Sequence, residues 1–165
     1  MNQFVPVDPA LDLTQLDSGD PSLDTWLRTS ALHTEAMRTV RTFVWAIDGV
    51  AAAYYAVAAH SVPLDALPKS LSRGSPSVIP AYLLAKLALT RHLHGKGLGR
   101  VVLDDALQRC LSAGLSAGAR LVVVDAIDRD AARFYEAQGF TRTLIPGRLA
   151  RKLSDVAEAY MAAEG

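Results

Sequence analysis

Apolar residues recur along this chain with two different periods, and each change of period marks an element. Asp20 followed by Pro21 reads as an N-cap with proline at the first helical position. Leu23, Trp26, Leu27 and Ala31 then fall at helical spacing, which predicts one helix over residues 21–37. Residues 42–47 (TFVWAI) read as a strand, Asp48-Gly49 as a hairpin turn, and residues 51–62 as the returning strand. Residues 63–80 hold four of the eight prolines and predict a loop. The run YLLAKLALT (residues 82–90) is almost wholly apolar and predicts a strand buried on both sides. Farther on, Leu103, Ala106, Leu107, Cys110 and Leu111 share one helical face, and Asp104, Asp105, Gln108 and Arg109 the other. RLVVVDA (residues 120–126) predicts another buried strand, residues 130–138 a short helix ended by Gly139, residues 148–153 a last strand, and the rest a helix. The order β–β–loop–β–α–β–α–β implies an α/β (α+β) chain with a mixed sheet and packed helices.

Composition narrows this picture. At 165 residues, half of them apolar, the chain is expected to be one domain over residues 1–165 with a sizeable core. No apolar run approaches the ~20 residues of a membrane helix. The opening MNQFVPVDPALD carries acids where a secretory leader carries bases, and the single Cys110 forms no internal disulfide. A cytoplasmic location is the expectation.

The formal charge is zero but unevenly spread. Residues 1–24 carry five acids and no base, whereas residues 66–103 carry six bases, two histidines and no acid. Such a segment either faces a polyanion or is a set of solvated faces.

The segment contains HLHGKGLGRVVLDDALQRCL (residues 92–111), in which Gly95, Gly97 and Gly99 lead into a helix. A helix start exposes unpaired N–H groups at the positive end of the backbone dipole, and glycines let an anion approach them. Phosphate binding is the chemistry this suggests; a plain strand-to-helix turn needs only one glycine. A P-loop would need Ser or Thr where Gly97 stands, and a dinucleotide fingerprint would need glycine where Arg100 stands. No metal-ligand spacing, nucleophile elbow or Cys/His pair competes, so no metal is expected.

Strand, glycine turn and helix together resemble the GNAT N-acetyltransferases, whose [Gln/Arg]-x-x-Gly-x-[Gly/Ala] signature reads here His94-Gly95-Lys96-Gly97-Leu98-Gly99, then Arg100. The first position departs from the family's usual residue. A second motif, Asp128-Arg129-Asp130-Ala131, Phe134-Tyr135-Glu136 and Gly139-Phe140, is similar to the family's N-x-x-A-x-x-x-Y-x-x-x-G-F ending, with Asp128 for Asn. The resemblance covers residues 7–153 and implies a GNAT fold, a mixed sheet splayed at its centre. It also implies acetyl-CoA as co-substrate. The amides of His94, Gly95, Lys96, Gly97, Leu98, Gly99 and Arg100 would then hold the pyrophosphate, with Arg91, Lys96 or Arg100 near the remaining phosphate. Leu87, Ala88 and Leu89 would pair with the pantetheine arm, and Asp128 would serve the cofactor side.

Acetyl transfer to an amine needs a neutral amine, a donor to the oxyanion and a proton for the departing thiolate. A backbone N–H near Leu89 is the expected oxyanion donor, and Tyr135 the expected acid; its alternative is a core aromatic, since Phe134 points ~100° away and only one of the pair fills the core. No side chain stands out as general base, with His33 and His60 the possibilities and an ordered water an alternative.

The stretch LDSGDPSLDTWL (residues 16–27), Thr42-Phe43-Val44, Tyr54-Tyr55 followed by Ala59-His60-Ser61-Val62, and Ile79-Pro80 resemble the GNAT toxins of bacterial toxin–antitoxin modules, the TacT-like group. That resemblance implies an aminoacyl-tRNA acceptor acetylated at its α-amino group and so blocked in translation. It also implies a ribbon-helix-helix antitoxin as partner, and a homodimer. Arg28, Arg38, Arg41, Lys69 and Arg73 are the expected tRNA-binding bases. Two other readings stand beside it: a GNAT enzyme acetylating a small amine or a protein N-terminus, and a binding protein that senses acyl-CoA.

Overall fold

The computed structural model describes residues 4–165. Seven strands, β1 Phe4–Pro6, β2 Arg41–Ile47, β3 Val50–Pro63, β4 Val78–Leu89, β5 Leu121–Asp125, β6 Thr141–Arg142 and β7 Arg148–Lys152, run in the order β1-β2-β3-β4-β5-β7-β6. The pairing is mixed: β1–β2, β2–β3, β5–β7 and β6–β7 are antiparallel and β4–β5 parallel. Among the described residues there are six α-helices: α1 Pro21–Thr29, α2 Ala31–Met37, α3 Lys69–Ser72, α4 Leu98–Ser116, α5 Arg129–Ala137 and α6 Leu153–Glu164. Among the described residues no helix is long and apolar enough to cross a membrane. The backbone contacts group into two compact units, one of Met1–Ala58 with Ala85–Ala106, the other of Ala59–Leu84 with Leu107–Gly165.

In the first unit, Val7, Leu13, Leu16, Leu27, Ala31, Val44, Ala51, Tyr54 and Ala88 form one buried cluster. Tyr54 is fully buried, and its hydroxyl donates to the Leu23 carbonyl at 2.7 Å, which removes the cost of a buried unpaired hydroxyl. The Asp48-Gly49 turn has both residues in the left-handed region, at φ 52° and 78°, as a two-residue hairpin requires. Asp20 caps α1, its carboxylate accepting from the Ser22 amide at 2.9 Å.

Sequence periodicity predicted one helix over residues 21–37; the structure has two. Ser30, at φ −123° and ψ −27°, leaves the helical geometry and starts α2, because its carbonyl takes the Thr34 amide while its own amide still closes α1 on the Trp26 carbonyl. The short strand β1 escaped the sequence reading because three residues ending in proline carry no period.

In the second unit, Val62, Ala66, Leu67, Leu71, Ile79, Ala81, Leu121, Val123 and Ala150 form the core. The predicted loop at 63–80 is more ordered than its prolines suggested. It contains a 3-10 turn at Leu64–Ala66 and α3, and β4 begins inside it at Val78. The Leu64 amide donates to the Ser77 carbonyl at 3.0 Å and so closes the segment on itself. Ala66, Leu67 and Leu71 are buried, so apolar anchoring outweighs the turn-forming residues here.

β4 is not buried on both sides as expected. Tyr82, Leu83, Ala85, Lys86 and Leu87 are only half-buried. β5 pairs with β4 over Ala81–Leu84, and β4 continues past that register to Leu89.

Candidate functional site

The glycine turn follows the end of β4. Gly95 and Gly97 both have φ +75°, a backbone that costs any other residue strain, and a Cβ at either position would meet nothing within 4 Å. Both turns therefore open onto free space. Among the described residues the amides of Gly95, Lys96 and Gly97 donate to no protein acceptor, and α4 starts at Leu98 with its opening N–H groups unpaired by geometry. Gly99 is already within α4, so its need is not a left-handed backbone.

His94 differs from its neighbours. Its amide donates to the Arg91 carbonyl at 3.0 Å, and its Nε2–H donates to the Leu89 carbonyl at 2.6 Å, which fixes the ring tautomer. The expectation that the His94 amide joins the cradle is therefore corrected. His94 ties the turn to the strand end, and the free amides run over residues 95–100. The Thr90 amide is also committed, to the Ala52 carbonyl at 2.8 Å.

Arg91 is committed too. Its guanidinium pairs with the Asp17 carboxylate, its amide donates to the Asp17 carbonyl, and its stem lies against Gly19. The guanidinium hydrogen bond holds the Asp17 carboxyl below the usual carboxylate range. Arg91 thus pins the acidic N-terminal segment, while Lys96 and Arg100 are exposed and have no described carboxylate partner. A cleft of about 550 Å³ beside Arg91 and His92 is lined also by Asp17 and Asp48, whose carboxylates disfavour a phosphate there.

In the second unit, α5 carries Tyr135. Asp128 caps this helix, accepting from the Ala131 amide at 2.8 Å, and Gly139 ends it at φ +92°. The Asp128 side chain is exposed, and capping is the role its geometry displays. Tyr135 is 9% exposed and packs edge-on against Phe134 and Phe140, with ring centroids 5.2 and 5.5 Å away. It is Tyr135, not Phe134, that faces the core; Phe134 is half-buried. Among the described hydrogen bonds none engages the Tyr135 hydroxyl. Burial pushes this phenol up to about 12, so it holds its proton throughout the physiological range. Tyr135 thus fills the core position that the sequence left open between it and Phe134, with its hydroxyl in no described hydrogen bond.

The expected tRNA-binding bases fare unequally. Arg28, Arg38, Lys69 and Arg73 are exposed, Arg38 ending α2 in the left-handed region. Arg41 is also exposed, its Nη1 lying 3.4 Å from Glu35 Oε2 and donating to the Glu35 carbonyl at 3.3 Å. Lys86, counted in the acid-free segment, lies over the Trp26 ring at 5.8 Å, with Trp26 in turn stacked on Tyr54. His60 is not a free base. Its Nε2 lies 3.4 Å from Arg148 Nη1, and burial together with that guanidinium lowers its affinity for a proton.

The composition signal missed one group. Asp125, on β5, takes two hydrogen bonds from Arg148, on β7, which also faces His60, on β3. The three lie far apart in sequence and share no motif, so only the fold joins them.

The acetyltransferase (GNAT) family matches residues 10–140. A tRNA-acetylating toxin of Mycobacterium tuberculosis (strain ATCC 25618 / H37Rv) is 39% identical over 129 residues, 78% of each chain. The structure of AtaT complexed with acetyl-methionyl-tRNAfMet superposes with a TM-score of 0.89 at 23% identity, covering 96% of this chain and 98% of AtaT. The AtaT–AtaR complex bound to DNA gives 0.79 at 21% identity, covering 96% and 99%. The chain belongs to the GNAT family.

Proposed function

We propose that this protein transfers the acetyl group of acetyl-CoA to the α-amino group of aminoacyl-tRNA, blocks translation by doing so, and is the toxin of a toxin–antitoxin pair. Its resemblance to the mycobacterial tRNA-acetylating toxin carries the reading, because that likeness extends over most of both chains. The fold shared with AtaT, which has been captured with acetyl-methionyl-tRNA and with its antitoxin AtaR, supports it. The acceptor is therefore a charged tRNA, and the partner an antitoxin of ribbon-helix-helix type. Residues 1–165 act as a single acetyltransferase domain in the cytoplasm, as a homodimer.

The chain's own residues divide the chemistry. The amides of residues 95–100 hold the pyrophosphate of acetyl-CoA, with Lys96 and Arg100 beside it, and the Gly95 and Gly97 turns leave room for it. Leu87, Ala88 and Leu89 offer their strand edge to the pantetheine arm, and the Leu89 amide is the donor to the carbonyl oxygen. The amine nitrogen forms the new C–N bond as the C–S bond breaks, and Tyr135 gives its proton to the departing thiolate. The amine's surplus proton leaves to solvent, from which the tyrosinate is reprotonated. An aminoacyl α-amine has a pKa near 8, so water suffices as base. Arg28, Arg38, Lys69 and Arg73 bind tRNA phosphates.

The test is transfer of labelled acetyl from acetyl-CoA into bulk charged tRNA, with deacylated tRNA and a panel of free amines alongside. Label confined to charged tRNA and released by mild alkaline cleavage of the ester is the expected result. Label entering only free amines would move the protein to the small-amine class and leave the exposed bases unexplained.

A further inference from the structure

Arg148 bonds to both ends of the segment that carries Tyr135. On the side leading into α5, its Nε donates to Asp125 Oδ1 at 2.8 Å and its Nη2 to Asp125 Oδ2 at 2.9 Å, a two-point grip on the last residue of β5. The next residue, Ala126, donates its amide to the Gly147 carbonyl at 2.8 Å. On the side leading out, the Arg148 carbonyl accepts from the Thr143 amide at 2.9 Å and from the Thr143 hydroxyl at 3.0 Å. Between Asp125 and Thr143 lie the Asp128 cap, α5 itself and Phe140, whose amide donates to the Tyr135 carbonyl. The guanidinium is held on its third side by His60 Nε2, which accepts from Nη1 at 3.4 Å when the imidazole is neutral.

We propose that the Arg148 guanidinium is the positioning group for Tyr135, fixing the entry of the segment 125–143 through Asp125 while the backbone carbonyl of residue 148 holds its exit at Thr143, so that the phenol stands at a fixed place. This rests on the assignment of Tyr135 as the acid. Arg148 touches no reacting atom; it acts by confining the element that does. Displacement of a reacting group by about 1 Å lowers a rate by about 100-fold, so a loosened clamp has a large kinetic effect without any change in the acid itself. Lysine cannot replace this arginine, since one ammonium does not reproduce the planar fork.

A double-mutant cycle tests the inference. Single-turnover acetyl transfer to charged tRNA is measured for Tyr135→Phe, Arg148→Met and the double variant, with the acetyl-CoA Kd and melting temperature of each. Arg148→Met is expected to slow the step by about 100-fold at an unchanged acetyl-CoA Kd. The double variant is expected to be no slower than Tyr135→Phe alone, because a clamp is without effect once its cargo has lost its proton. Losses that multiply overturn the positioning role while leaving Tyr135 as the acid. A Tyr135→Phe variant as fast as the unaltered protein overturns the acid assignment and this inference together. Asp125→Asn cuts the same grip from the other side, carries the test if Arg148→Met fails to fold, and should show the same non-additivity. Arg148→Lys should stay as slow as Arg148→Met; recovery in it would show that charge alone, not the fork, is at work.

Discussion

Gly97 and Gly49 hold nearly the same backbone, at φ +75° and +78°, and neither has an atom within 4 Å of where a Cβ would stand. Replacing either with alanine should therefore cost the same strain, about 1 kcal/mol. The difference between them is chemical. Gly49 closes a hairpin, whereas Gly97 stands among amides that have no protein acceptor. Gly97→Ala should raise the acetyl-CoA Kd by more than the stability loss accounts for, and Gly49→Ala should leave it unchanged; calorimetric titration beside thermal melting separates the two. An equal Kd for both variants would remove the turn from the anion site. The glycines were readable from sequence because a left-handed backbone admits few other residues. The commitments of His94, Arg91 and Arg41 were not, since each depends on a carbonyl or carboxylate brought up from elsewhere in the chain.

At the scale of elements, α5 shows how one residue can fit two readings. Asp128 occupies a family motif position and also caps its helix through the Ala131 amide. Asp128→Ala should lower stability by about 1 kcal/mol, and Asp128→Asn should restore it, because asparagine caps equally well. The melting temperature follows the cap and the acetyl-CoA Kd follows any cofactor role; the expected outcome is a change in the first alone. Strands β2, β3 and β5 were legible as apolar runs bounded by polar or turn residues. The break at Ser30 left no trace in the apolar pattern, which continues in phase from Leu27 to Ala31 across it. The 63–80 segment misled in the opposite sense. Its prolines announced a loop, while Ala66, Leu67 and Leu71 bury themselves and order it.

Across the whole molecule, seventeen bases and seventeen acids cancel, so attraction to a polyanion must come from where the bases stand. The acid-free segment proved mixed: Arg91 answers Asp17 and Lys86 lies on Trp26, while Lys69 and Arg73 remain exposed. Replacing Lys69 and Arg73 together with glutamate should abolish acetyl transfer to charged tRNA and leave the acetyl-CoA Kd intact. The salt dependence of tRNA binding should also become shallower, with the slope of log K against log salt reduced by about 0.7–0.9 for each phosphate that is no longer neutralised. Transfer retained by that variant would place the nucleic-acid surface elsewhere.

The chain's one cysteine, Cys110, is 1% exposed within α4, and burial pushes its thiol up to about 12. A thiol so protonated and enclosed is inert to alkylating reagents while its surroundings stay folded. Any label it acquires therefore times an opening event. The protein carries its own clock for unfolding, one that needs no engineered reporter.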